Sequence, residues 1–190
     1  MLTGNRAAGF TLLEVLITLI VLAIGMLGLA NLQSKIHTTE LESYQRAHAV
    51  LILQDMVDRI TTNRANAATY VTGTGTGALG TGDSQAASCT GSPGVARDKC
   101  EWSNSLKGSA EKSGGTSVGA MIGARGCVEL IQAANPATGT CTPGIYRVSV
   151  AWQGINDTVT PSLACGSGNY GRETLRRVVS TSVTIGLPRC

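Results

Sequence analysis

The residues of this chain that could do chemistry are six cysteines and a scatter of ionisable side chains. Cys89, Cys100, Cys127, Cys141, Cys165 and Cys190 are even in number, and all lie beyond residue 88. No Cys-x-x-Cys pair occurs, and both histidines, His37 and His48, lie far upstream, which argues against a zinc site. An even set confined to one side of an apolar segment points to disulfides formed in an oxidising compartment. The sequence does not choose among the possible pairings. Catalysis has little to work with: no Ser/His/Asp set, paired carboxylates or metal cluster can be assembled. The two histidines have no acid–base partner within reach by spacing, and acids are few after Glu111. The chain reads as a non-enzyme that needs no cofactor and no metal.

Charge excludes another class. Charged residues make up 14% of the chain and the net charge is +3, with the basic residues dispersed. That is not a nucleic-acid footprint. The pair Arg176-Arg177 reads as a solvated strand end. Aromatics are only 4%, so the soluble core must be small and mainly aliphatic.

One carboxylate is out of place. From Phe10 to Leu32 the chain is apolar except for Glu14. As a helix at ~1.5 Å per residue, this run spans a hydrocarbon core of ~30 Å. Arg6 precedes it and no basic residue follows until Lys35, which keeps Met1 to Gly9 cytoplasmic and sends the remainder across. A secretory signal with its cut at Gly28-Leu29-Ala30 would have a shorter apolar region, and a plain anchor leaves the carboxylate unexplained. An acidic group at the centre of a membrane helix costs ~2.5–3.5 kcal/mol, less towards the interface. Glu14 therefore either sits near the headgroups or has a partner that its own helix does not supply.

The elements that would carry these residues follow from periodicity. No proline occurs before Pro93, so the apolar helix is expected to continue to about Arg64, roughly 55 residues and ~80 Å in all. Ala47, Val50, Leu53, Val57 and Ile60 fall on one face of it, while Glu42, Arg46, Asp55, Asp58 and Arg59 take much of the rest. Gly25 and Gly28 either weaken the helix or let neighbouring helices approach. Residues Ala67 to Ser88 carry Gly73, Gly75, Gly77, Gly80 and Gly82 among threonines, the composition of a flexible, solvated loop. A short helix over Arg97 to Lys107 inserts Trp102 and Leu106 into the core. The period then changes to two. Tyr146, Val148, Val150 and Trp152 share one strand face, and Val179, Val183 and Ile185 point inward from a strand over Leu175 to Ile185. Gly126 to Ile131 is a third strand, turned by Pro136-Ala137-Thr138-Gly139 towards Ile145, with Cys127 and Cys141 placed to staple that neighbourhood. A sheet packed on the second half of a long helix is an α+β domain.

Gly9-Phe10-Thr11-Leu12-Leu13-Glu14 resembles the signature of the type IV prepilin family: a short basic leader ending in Gly, then Phe, then Glu five residues into the mature chain. The resemblance implies cleavage between Gly9 and Phe10 by a prepilin peptidase, which also N-methylates Phe10. Glu14 would then pair with the charged amine of Phe10 on a neighbouring subunit, setting an axial register. It also implies the type IV pilin fold, with an antiparallel sheet on the long helix. Four parts result: a leader at residues 1–9, a transmembrane and assembly helix at 10–32, its periplasmic continuation at 33–65, and a disulfide-stabilised domain at 66–190. Ala23-Ile24-Gly25-Met26-Leu27-Gly28-Leu29, Asp55-Met56-Val57-Asp58-Arg59-Ile60 with Asn63-Arg64, Gly126-Cys127, Val148-Ser149-Val150-Ala151-Trp152-Gln153-Gly154 and Arg176-Arg177-Val178-Val179 look like the minor pilins of the PilV type. For those, the resemblance implies a low-abundance subunit that primes pilus assembly at the bacterial inner membrane and sits near the filament tip, supporting twitching motility and adhesion. Its partners would be the peptidase, other minor pilins, the major pilin and the inner membrane. A minor pseudopilin of a type II secretion system, built on the same leader and helix, and a tip adhesin are the alternatives.

Overall fold

A computed structural model describes residues 9–75, 77–109, 112–114, 116–117, 119 and 121–187. Met1 to Ala8, most of the expected leader, and Cys190 lie outside the described residues. The chain forms two compact units, one ending at Leu41 and the other beginning at Glu42. Helix α1, Leu12–Thr62, contributes to both.

In the first unit α1 is a bare apolar helix. It starts on Thr11, whose Oγ1 accepts the Glu14 N–H at 3.2 Å, and Thr-x-x-Glu is the residue pattern of a capping box. By length and composition this stretch could cross a membrane, and none of its apolar window is buried.

The second unit is an α+β domain. After α1 come a 3-10 segment, Arg64–Tyr70, then β1 (Leu79–Gly80), α2 (Val95–Leu106), β2 (Lys112–Ser113), β3 (Thr116–Ser117), β4 (Ile122–Gln132), β5 (Gly144–Gln153) and β6 (Arg176–Ile185). The main sheet has the order β1-β4-β5-β6, and the pairs β1–β4, β4–β5 and β5–β6 are antiparallel. Strands β2 and β3 form a small separate ribbon. Period-two alternation builds the sheet as expected: Tyr146, Val148, Val150 and Trp152 are all buried on the face towards α1 and α2. Val128 pairs with Val148 and Val150 with Val179 across the ladders.

Where helix meets sheet, Trp102 fixes the spacing. It is fully buried and donates its Nε1–H to the Ile52 carbonyl at 2.8 Å, tying α2 to α1. Gly126 of β4 lies directly beneath: a Cβ there would come within 2.2 Å of the indole. Only a residue without a side chain lets the outer edge of that ring come so close to the strand.

Three expectations need correction, and strand β5 is buried beyond what its alternation implies. The buried face of α1 is Ala49, Ile52, Leu53, Met56 and Ile60, whereas Ala47 is exposed and Val50 half-exposed. Apolar residues occur all round this stretch, so the sequence offers two overlapping stripes and the sheet selects one. The Gly/Thr segment is not simply a solvated loop: Tyr70, Ala78 and Leu79 are buried, and β1 pairs with Gly126 and Arg125. Its glycines let the chain pass close to β4; Gly80, at φ +103°, lies where a Cβ would meet the Ala124 carbonyl at 2.5 Å. Strand β5 is buried on both faces from Val148 to Trp152, because Cys127, Cys165 and Tyr170 cover Ala151 from behind. Arg176 is no solvated strand end. It is 2% exposed, and it donates to the carbonyls of Pro161, Leu163 and Cys165 and to Glu173. The segment between β5 and β6 turns those carbonyls inward, and buried carbonyls need donors.

Candidate assembly site

Gly9 and Phe10 precede α1 and are both exposed, Phe10 by 84%. Glu14 occupies the first helical turn, where the partial positive charge of the helix N-terminus favours a carboxylate. Among the described residues it has no ion-pair partner. Leu12, Leu13, Leu16, Ile20, Ile24 and Leu27 around and below it are all half-exposed or more. A lone acid on an apolar cylinder without internal partners suits association with other apolar helices or lipid, provided that a cation arrives from outside the helix.

Further along this unit, His37 Nδ1 stands 3.5 Å from Glu40 Oε2, both well exposed. The expectation that His37 has no acid–base partner is thereby corrected: the i,i+3 spacing supplies one. A surface pair of this kind contributes little to stability.

The domain's charged residues are fasteners. Arg59 near the end of α1 binds Asp55 at 3.0 Å, Asp98 at 3.1 Å and Glu101 at 2.9 Å. Burial works against its charge, but these carboxylates outweigh that and raise its pKa. Asp98 also accepts the Tyr70 hydroxyl; burial first, and that bond second, push the phenol up to about 12. Contact with Arg59, then Arg97, holds Glu101 below the usual carboxylate range. Glu42 accepts the N–H groups of Ile155 and Asn156 and one Arg177 nitrogen, 3.1–3.2 Å away. The helix is thus pinned to the segment after β5. His48 stacks on Tyr44 with ring centres 6.4 Å apart. Among the described residues no three His, Cys, Asp or Glu side chains are grouped to hold a metal.

The cysteines lie apart from the helix. Cys89–Cys100 ties the loop before α2 to that helix, and Cys127–Cys165 ties β4 to the segment after β5. Cys141 is also disulfide-bonded. Cys127 does not pair with Cys141: five residues of β4 follow it, ~16 Å at 3.3 Å per residue, before the connection holding Cys141 begins. A disulfide needs its Cα atoms within ~7 Å. Arg59, Arg176 and the Tyr70–Asp98 bond escaped sequence reasoning, since each joins segments whose spacing carries no periodic signal.

Residues 4–30 match the family model of the prokaryotic N-terminal methylation motif. The match ends within α1 and does not reach the domain. No curated protein and no solved structure matches the chain. Residues 4–30 thus carry a prepilin-type methylation motif, and the apolar helix and helix-on-sheet domain are consistent with a type IV pilin- or pseudopilin-like fold.

Proposed function

We propose that the chain is a minor type IV pilin, a structural subunit that helps prime pilus assembly at the inner membrane and enters the filament at or near its tip. Cleavage between Gly9 and Phe10 gives the mature subunit a methylated, positively charged N-terminus at Phe10. That amine reaches the Glu14 carboxylate of a neighbouring subunit while the apolar flanks of the two helices pack together. The pair neutralises two poorly solvated charges at once and fixes how far one subunit is shifted along the next. The N-terminus stays cytoplasmic and the domain periplasmic until the helix exchanges lipid for other helices. The observation that carries this reading is Glu14 itself: a carboxylate with no ion-pair partner among the described residues, four residues after Phe10, in an apolar helix whose first half buries nothing in its own unit.

Intact-mass and N-terminal analysis of the membrane-extracted protein tests it. The expected product begins at Phe10 and carries one added methyl group. A product beginning at Asn31, or an intact Met1, would falsify the processing scheme. The same leader and helix suit a minor pseudopilin of a type II secretion system. Loss of secretion with twitching motility intact, in a strain lacking this chain, would select that reading.

A further inference from the structure

Behind the main sheet lies a cavity of about 480 Å³, walled by Gly75, Gly82, Arg125, Ser167, Gly168 and Asn169. With Ala78, three of its seven lining residues are glycines, so part of the wall is bare main chain. Among the described residues Arg125 is the one charged residue in its wall. The other enclosed arginines of the domain are committed: Arg59 to three carboxylates, Arg176 to Glu173 and three carbonyls, and Arg177 to Glu42. Arg125 differs. Its Nε is shielded from solvent and has no acceptor, and among the described residues its guanidinium makes no hydrogen bond or ion pair. Buried donors in folded proteins are nearly always paired, and an arginine cannot shed its charge to escape the requirement.

The nearby carboxylates do not fill the gap. Asp83, next to Gly82, is taken by the N–H groups of Gly80 and Gln85, the Ser103 hydroxyl and Lys107. Glu173 is taken by the Gly168 N–H and Arg176. The guanidinium lies against Gly82, its terminal nitrogens 3.2 and 3.5 Å from where a Cβ would stand. The φ of +87° also favours glycine there.

We infer that this cavity binds a carboxylate, with the Arg125 guanidinium as a two-pronged donor and the Ser167 hydroxyl beside it. A planar carboxylate matches the guanidinium fork. One positive charge balances a monoanion, whereas a phosphate dianion would find no second cation in these walls. The carboxylate belongs to an acidic side chain of another chain or to a free organic acid. The site stands whether or not the subunit enters a pilus.

Full-length protein in detergent micelles, labelled with nitrogen-15, supplies the test. The Arg125 Nε–H resonance is followed while sodium acetate, sodium sulfate or sodium chloride is added at constant ionic strength. A saturable shift with acetate that chloride does not reproduce is expected. Arg125→Gln should weaken acetate binding, read on the Ser167 and Asn169 amides, by about tenfold or more. Ser167→Asp, which leaves Arg125 in place and tethers a competing carboxylate, should weaken it as well. Equal shifts from all three salts, a non-saturating response, or unchanged binding in Ser167→Asp overturns the assignment. N-acetylglutamate amide binding more tightly than acetate assigns the ligand to a protein side chain; equal affinities assign it to a free acid.

Discussion

The two halves of α1 are both rich in apolar residues and meet opposite surroundings. Before Leu41, Leu16, Ile20, Val21, Ile24 and Leu27 are each at least half-exposed. From Glu42 on, Ala49, Ile52, Leu53, Met56 and Ile60 are at most 7% exposed, under Trp102 and the sheet. Burial of apolar area stabilises both kinds of helix, but only the second half finds its partner within the chain. On the proposed function the first half finds it in lipid or in other helices, which would make the chain a component of an assembly. Substitutions should therefore divide cleanly, those in the domain acting on folding and those in the first half on association.

The largest effect should come from Trp102→Ala. It removes a fully buried indole and the hydrogen bond to Ile52, and should destabilise the domain by about 3–5 kcal/mol in denaturant unfolding. Ile17→Ala, in the exposed half, should leave the same midpoint unchanged. A comparable loss in both would erase the distinction between the halves.

The disulfides sharpen the comparison within the domain. Cys127 and Cys165 are 38 residues apart and Cys89 and Cys100 only 11. By loop entropy the first pair should contribute about 4 kcal/mol and the second about 3. Paired Cys→Ser variants, melted side by side, would measure the order. A larger loss at Cys89–Cys100 would mean that the loop before α2 contributes more to the fold than its length implies.

Acid provides a smaller, graded probe. Burial alone would raise the pKa of Asp83, but Lys107, Ser103 and the Gly80 and Gln85 amides outweigh it and hold the carboxyl low. Its folded pKa thus lies below the unfolded one. The stability it adds is complete above about pH 4 and is lost as pH falls through the folded pKa. Asp83→Asn should cost about 2 kcal/mol at pH 7 and flatten the fall in melting temperature below pH 4. An acid limb as steep as in the unchanged protein would remove Asp83 from that role.

Asp83 also marks what the sequence could not disclose. Its segment has a loop's composition, and β1 exists only because β4 lies alongside to pair with it. The strands β4, β5 and β6 were legible because alternation is local, and α2 because Trp102 and Leu106 stand one turn apart. The inward face of α1 is ambiguous in the sequence, since Ala47 and Val50 fit a helical stripe as well as Ala49 and Met56 do. Arg176 and Arg125 resemble any strand arginine until the segments covering them are in place. Gly9, Phe10 and Glu14 were conspicuous for the opposite reason: their meaning lies in fixed spacing within one short run. Among the described residues Glu14 has no ion-pair partner, so the spacing marks the site without naming what fills it.

Glu14→Ala should have the smallest effect on the domain and the most telling effect on assembly. The Thr11 cap uses the Glu14 main-chain N–H, so the helix start is kept. The residue makes no ion pair among the described residues, so the domain's unfolding midpoint should move by less than about 0.5 kcal/mol. Membrane insertion should be unimpaired or improved, because a carboxylate has been removed from an apolar helix. Recovery of the subunit with sheared filaments, and the number of filaments, should nonetheless fall sharply. Glu14→Asp, one methylene shorter, should restore part of that recovery if a charge pair sets the register. If Glu14→Ala assembles as well as the unchanged chain, the carboxylate is merely tolerated near the headgroups and the register must come from the apolar flanks alone.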